Sequence, residues 1–181
     1  SMHQAAGTYS LSRSSSCVDT PWMSIVRENV FMRLAALATL GIGMKKTVLG
    51  ELEKIVGKER MSDKIADLYV YGFDASIHHK NPDVVVRPAN TQEVSEIVKL
   101  ANRTRTPIVP RGAGTAMCGH TVPLKGGIIV DMTLMNKIKE VRVEDLYCVV
   151  EPGVIYDKLN AVLGKRGFWF PTTPGSGEAC T

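Results

Sequence analysis

The sequence predicts a mixed α+β domain, because short β-branched runs alternate along the chain with segments of helical period. Asp83–Arg87 (DVVVR) is typical of a buried strand. It is followed by Thr91–Arg105, where Val94, Ile97, Val98 and Ala101 fall on one helical face. At 181 residues the chain suits one domain with a core and is short for two. Its 44% hydrophobic and 22% charged residues are ordinary for a globular protein.

The remaining elements follow from periodicity and from turn residues. Three further helices are predicted, at Val48–Val56 ended by Gly57, at Lys64–Tyr71, and at Tyr156–Leu163 with Gly164 and Gly167 as stop signals. Five further strands are predicted, at Pro107–Val109, Gly127–Asp131, Ile138–Val143, Leu146–Val150 and Phe168–Phe170.

Residues 1–43 differ from the rest, and we expect them to lie outside the fold, with the domain formed by residues 44–181. Residues 1–23 are rich in Ser and Thr, while Met44 opens a stretch that reads like a natural protein start. The apolar run between them is interrupted by Arg33 and contains no stretch of about 18 uncharged apolar residues, so no membrane span is expected. An organellar transit peptide and a stray extension both remain open for this segment.

Charge and cysteine usage exclude several classes of function. The net charge of +4 comes from scattered Lys and Arg residues without a nucleic-acid motif, so no nucleic-acid partner is expected. None of the four cysteines forms a C-x-x-C pair, which predicts no zinc site and a reduced, cytoplasmic protein. His78 and His79 would point to opposite faces of a strand, so no metal is expected there either.

A glycine-rich stretch, Pro110–Thr121 (PRGAGTAMCGHT), directly follows a predicted strand. Gly112 and Gly114 can take positive φ, and the successive N–H groups of such a turn form a nest that favours anions. Arg111 offers a guanidinium for phosphate binding or for anchoring the loop. The absence of Gly-Lys-Ser/Thr excludes a P-loop, and the lack of a following helix excludes a Rossmann site. These features predict that the loop binds a pyrophosphate. The alternative is that it is a tight turn that binds no ligand.

Six segments in order carry a resemblance to a known family. They are Tyr71–Ser76 (YGFDAS), Pro82–Pro88 with Thr91–Val98, Pro110–Thr115 (PRGAGT), Val122–Leu124 with Gly127–Met135, Val150–Val154 (VEPGV) and Phe170–Ser176 (FPTTPGS). On these segments the chain resembles the front half of a PCMH-type FAD-binding domain. It is most similar to the glycolate oxidase and D-lactate dehydrogenase group of FAD-linked oxidases.

The resemblance implies that FAD is the cofactor, with its pyrophosphate on the glycine loop and its flavin near the segment that follows Phe170. We expect non-covalent binding, because Thr115 stands about where covalent flavoproteins of the wider superfamily carry the linking histidine. His120 lies further along and is expected to make a polar contact near the phosphates. The residues so placed at FAD are Arg111, Gly112, Ala113, Gly114, Thr115, Gly119, His120, Pro171, Thr172, Thr173, Gly175 and Ser176.

The chain departs from the family pattern after Thr181, where the family continues into a glycine-rich stretch and a substrate domain. We therefore expect an incomplete FAD-binding domain, with the catalytic groups outside this chain and no catalytic residue within it. The resemblance implies a parent oxidoreductase that acts on a small 2-hydroxy acid such as glycolate or D-lactate. Two alternatives remain open: half of a split flavoprotein that needs a complementary chain or self-association, and an inactive remnant.

Overall fold

A computed structural model of the protein describes residue 44 and residues 46–181, so the expectations for residues 1–43 lie outside the described part. The helices are α1 (Lys46–Val56), α2 (Ile65–Tyr71), α3 (Thr91–Thr104) and α4 (Tyr156–Gly164). The strands are β1 (Met61–Ser62), β2 (Val84–Val86), β3 (Ile108–Arg111), β4 (Ile128–Asp131), β5 (Ile138–Arg142) and β6 (Tyr147–Val150). None of these described helices is long and apolar enough to cross a membrane.

Most of the predicted elements are confirmed to within one or two residues, and one is wrong. Phe168–Phe170 forms no strand. Its amides turn to helix α4 instead: Phe168 donates to the carbonyl of Leu163 (3.2 Å) and Phe170 to Oδ1 of Asn160 (2.8 Å). Because these donors are already used, they are not free to pair with a neighbouring strand. The two-residue strand β1 and the 3₁₀ turn Lys58–Arg60 before it were not predicted, since so short a strand shows no alternation.

The main sheet has four strands in the order β1-β2-β4-β3. Strands β2, β4 and β3 are parallel, and β1 runs antiparallel to β2. Helix α3 connects β2 to β3, as the crossover between parallel strands requires. In the β3–β4 register Arg111 lies opposite Asp131, so the carboxyl ends of these two strands meet at one edge, where the glycine loop begins.

The core lies where α1 and α3 pack on β2 and β4. Val84 and Val86 of β2 face the helices, while Val85 is buried on the opposite face of the sheet. Asn90 precedes helix α3, and its side chain accepts a hydrogen bond from the amide of Glu93 (2.9 Å) and so caps the helix. The buried side chains of this cluster are Val48, Leu52, Val56, Val84, Val86, Ile97, Leu100, Ala101, Ile128 and Val130.

A second, smaller unit follows the sheet along the chain. Strands β5 and β6 form an antiparallel hairpin, and its turn includes Leu146 at a φ of 55°. Helix α4 packs on the hairpin through Leu159 and Leu163, which cluster with Val154. The partly buried side chains around this cluster are Ile138, Val141 and Cys148.

Candidate functional site

The glycine loop, defined as residues 112–121, leaves the carboxyl end of β3, and no helix follows it. Gly114 and Gly119 have φ values of 74° and 75°, in the region where a side chain is strained. Gly112 has no positive φ, but a Cβ there would overlap Oγ1 of Thr181. Two of these glycines are therefore needed for backbone conformation, and the third leaves room for the side chain of Thr181 against the loop.

The amides in the first part of the glycine loop, from Gly112 to Cys118, are available to a ligand in the described structure. Among the described residues, no backbone N–H from Gly112 to Cys118 donates a hydrogen bond to another backbone group. Successive unpaired amides at a turn with positive φ form a concave surface of positive partial charge. The loop therefore suits the oxygens of a phosphate or pyrophosphate without any rearrangement of paired backbone.

Arg111 anchors the loop at its first turn. Its guanidinium donates to the carbonyl of Phe73 (2.5 Å) and lies 5.4 Å from the centre of the Tyr71 ring. A Cβ added to Gly114 would overlap Nη2 of Arg111, so the guanidinium occupies the space that the glycine leaves. Burial lowers the pKa of Arg111, and the nearby Tyr71 and Asp131 partly offset this effect. The sequence left Arg111 either to bind phosphate or to anchor the loop, and its contacts show that it anchors the loop.

Asp131 lies beneath this anchor at the end of β4, with 3% of its surface exposed. Its Oδ2 accepts a hydrogen bond from the Tyr71 hydroxyl (2.5 Å), and its Oδ1 accepts one from the amide of Thr133 (2.9 Å). Burial, followed by this bond to Asp131, raises the pKa of Tyr71 well above its ordinary value. Tyr71 therefore stays protonated and continues to donate.

The far end of the loop is held by the segment after Tyr71. The amide of Ala75 donates to the carbonyl of Ala116 (2.8 Å). Asp74 accepts bonds from the amide of Ser76 (2.8 Å) and from the hydroxyl of Thr121 (3.3 Å). Burial alone would raise the pKa of Asp74, but bonds from Ser76, Thr121 and the Gly119 backbone outweigh it and hold that pKa below its usual range.

A cleft of about 340 Å³ lies beside the loop. Ala113 lines it on the loop side, and the connection from β4 to β5, the turn at Gly153 and helix α4 line the rest. A Cβ on Gly153 would overlap the carbonyl of Met132, so only glycine lets this turn approach the wall. The polar side chains along the cleft are Thr133, Asn136, Lys158 and Thr181.

The second predicted segment, Pro171–Ser176, is irregular and largely exposed, and none of its residues lines this cleft. The stretch after it reaches the site instead. The carbonyls of Gly177 and Cys180 accept hydrogen bonds from the first amides of α4, and Thr181 lies against Gly112. The described structure thus brings the glycine loop together with residues 177–181, and contact of Pro171–Ser176 with the flavin stays a prediction.

Other predicted site residues fall into place around the loop. Thr115 is half-buried in it, Gly119 is buried, and His120 is exposed to solvent. The described residues contain no group of three or more His, Cys, Asp or Glu side chains that could hold a metal ion. Sequence reasoning missed Tyr71, Asp131 and Lys158 as site residues. Asp131 carried a local signal, as a charged residue that ends an otherwise apolar strand, and Tyr71 begins one of the segments that resemble the family.

Parallel strands that end in a glycine loop with free amides beside a cleft are the features of a domain for an anionic nucleotide cofactor. A family model described as "FAD binding domain" matches residues 82–181. The chain belongs to this FAD-binding domain family, and its cofactor is FAD.

Curated relatives agree with this assignment. The glycolate oxidase subunit GlcD of Bacillus subtilis is 40% identical over 137 residues, which cover 75% of this chain and 29% of that protein. The mitochondrial D-lactate dehydrogenase [cytochrome] of Arabidopsis thaliana is 38% identical over 137 residues, or 74% of this chain and 24% of that protein. The matched part of the chain thus spans 24% to 29% of the length of these relatives.

Solved structures show the same fold. An alkyldihydroxyacetonephosphate synthase superposes with a TM-score of 0.68 at 24% identity, over 76% of this chain and 30% of that one. A 4-ethylphenol oxidase from Gulosibacter chungangensis gives a TM-score of 0.61 at 26% identity, over 71% of this chain and 27% of that one. The PCMH-type α+β fold expected from the sequence is therefore confirmed for part of the domain.

Proposed function

We propose that this chain is the FAD-binding portion of a flavin-dependent oxidoreductase that oxidises a small 2-hydroxy acid of the glycolate or D-lactate type. Membership of the FAD-binding domain family and the names of the two curated relatives support the proposal. Bound FAD supplies a two-electron acceptor for the hydrogen on the carbon that carries the hydroxyl.

The observation that carries the proposal is the row of free amides from Gly112 to Cys118 beside the cleft. These amides hold the pyrophosphate oxygens, with Ala113 at the wall of the cleft and Gly119 at the far end of the loop. Because the Arg111 guanidinium is already bonded to Phe73, backbone dipoles rather than that side chain meet most of the phosphate charge. FAD is bound non-covalently, with His120 near the phosphates and Pro171–Ser176 toward the flavin.

A second candidate is half of a split flavoprotein, and the exposed aromatic side chains after α4 favour it. Phe168, Trp169 and Phe170 follow one another in the chain and are 39%, 59% and 44% exposed, and Tyr147 of the hairpin is 43% exposed. Large apolar groups gathered on one surface mark an interaction site in many proteins. In this candidate a complementary chain covers these side chains and completes the site.

FAD titration of the purified chain tests the loop, with flavin fluorescence as the readout. In Gly114→Ala the new Cβ strains a residue at a φ of 74° and displaces Arg111, so we expect FAD affinity to fall by about tenfold or more. Gly50→Ala is the matched control, because a Cβ there meets nothing within 4 Å. Equal FAD affinity in Gly114→Ala and the wild type would contradict the proposed role of the loop.

Anaerobic reduction of the bound flavin, in the oxidoreductase of which this chain is the FAD-binding portion, tests the substrate class. Bleaching of the flavin by D-lactate or glycolate, with succinate as a control that lacks the hydroxyl, supports the oxidoreductase. FAD binding that the purified chain gains only when a complementary chain is added favours the split flavoprotein. Failure of the wild-type chain to bind FAD at all would count against the first proposal.

A further inference from the structure

The segment Tyr71–Ser76 crosses the glycine loop and holds it at both ends. We propose that Asp131 and Tyr71 are positioning residues that fix Arg111 and thereby set the shape of the loop that receives the pyrophosphate. This inference rests on the proposed function, since it concerns how the same loop is prepared for FAD.

At the entry of the loop the contacts form a chain from the sheet to the glycines. Asp131 is fixed by β4, and both of its oxygens are used, by the Tyr71 hydroxyl and the amide of Thr133. The Tyr71 ring lies under the guanidinium of Arg111, which also donates to Phe73. Arg111 is the register partner of Asp131 on the adjacent strand, so the two residues lie side by side at the point where the sheet ends.

At the exit the same segment makes further contacts with the loop. Ala75 donates to the carbonyl of Ala116, and Asp74 accepts from the hydroxyl of Thr121. A Cβ on Gly119 would lie 2.7 Å from the ring of His78, so the residues just after the segment also pack on the last glycine of the loop. A shift of Tyr71 therefore reaches both ends of the loop at once.

Preorganised amides bind an anion better than amides that must be ordered on binding. Without the Tyr71–Asp131 bond, the ring under Arg111 is no longer fixed and the guanidinium is free to leave Phe73. The amides from Gly112 onward then lose the turn that makes them converge. The expected loss is in affinity for FAD, beyond any loss of fold stability.

Tyr71→Phe and Asp131→Asn test the inference. Removal of a hydrogen bond to a charged group predicts a fall in FAD affinity of about tenfold for each variant. The double variant should lose about as much as either single one, because both changes break the same contact. Glu93→Gln is the control, since it breaks the bond to Arg60 at the start of α3, away from the loop.

Amide hydrogen exchange of Ala75 in the FAD-free protein provides a second readout, because that amide is bonded to the loop at Ala116. We expect faster exchange at Ala75 in Tyr71→Phe and Asp131→Asn but not in Glu93→Gln. FAD affinity and Ala75 exchange unchanged in Tyr71→Phe would overturn the inference, even if the melting temperature fell. If the wild type binds no FAD, the proposed function fails, and the exchange experiment alone still decides whether Tyr71 positions the loop.

Discussion

The sheet region (residues 46–131) and the hairpin region (residues 138–181) are packed to different degrees. Ten apolar side chains form the core of the sheet region, each no more than 4% exposed. The hairpin region has three buried side chains, Val154, Leu159 and Leu163, at 7–8% exposure. On its surface Leu146 and Trp169 are 77% and 59% exposed. The glycine loop begins in the sheet region, which is better packed. The opposite wall of the cleft is formed by α4 and the residues after it, which belong to the less well packed hairpin region.

The largest expected effect comes from truncating one leucine in each region. Leu52→Ala removes a side chain that is fully buried among α1, α3 and the sheet, and should lower the free energy of unfolding by about 3 kcal/mol. Leu159→Ala opens a smaller and partly solvated cluster, so a loss of about 1 kcal/mol is expected. Urea denaturation followed by circular dichroism measures both values.

Leu49→Ala is the control for helix α1, because Leu49 lies on the same helix as Leu52 but is only partly buried. Equal losses for Leu52→Ala and Leu159→Ala would show that the hairpin region is packed as firmly as the sheet region. The contrast between the two regions would then be wrong.

The pH dependence of the free energy of unfolding gives a smaller effect, which also distinguishes the sheet region from the hairpin region. The hydrogen bond from Arg60 is the main cause that lowers the pKa of Glu93, and burial opposes it. A carboxyl with a depressed pKa stabilises the fold above its unfolded value of about 4.3 and loses that contribution as the pH falls through its folded value. We expect Glu93→Gln to lower the free energy of unfolding by about 1 kcal/mol at neutral pH. Between about pH 5 and 3 the free energy of unfolding should fall less for this variant than for the wild type, because the variant has no carboxylate to protonate at this position.

Glu151 in the hairpin region is the comparison residue for this titration. The amide of Lys137 is the main cause that lowers the pKa of Glu151, and its ion pair with Lys139, at 3.5 Å, is longer than the contact of 2.9 Å between Arg60 and Glu93. Glu151→Gln should therefore change the acid dependence less than Glu93→Gln does. Chemical denaturation at several pH values measures both slopes, and a steeper change for Glu151 would reverse the expected order.

The smallest effect is expected at Trp169. Its side chain is 59% exposed and lies in irregular backbone, so Trp169→Ser should change the free energy of unfolding by less than about 0.5 kcal/mol. Differential scanning fluorimetry of the variant measures this, with Phe168→Ser, at 39% exposure, as the neighbouring comparison. A large loss would show that the aromatic stretch is buried in solution, for example against a second chain.

Prediction from sequence succeeded where one local pattern decides the structure. The apolar face of α3, the β-branched run of β2 and the glycine spacing of the loop each need only neighbouring residues to be recognised. It failed at Phe168–Phe170, where three aromatic residues have high strand propensity but their amides bond to α4. Strand propensity describes a residue beside a partner strand, and no local pattern reports whether that partner exists.

Within the site, residues 110–121 also combine features that local sequence predicts with features that depend on tertiary contacts. Local sequence determined that a strand would run into a glycine loop without a following helix, because chain conformation there depends on Gly114 and Gly119 themselves. Only the tertiary structure decided what Arg111 does and that Tyr71 and Asp131 lie beneath it. Asp131 is 60 residues from Tyr71 along the chain, and the register of β3 and β4 places it opposite Arg111. Contacts across such distances depend on how the sheet assembles, which local sequence does not encode.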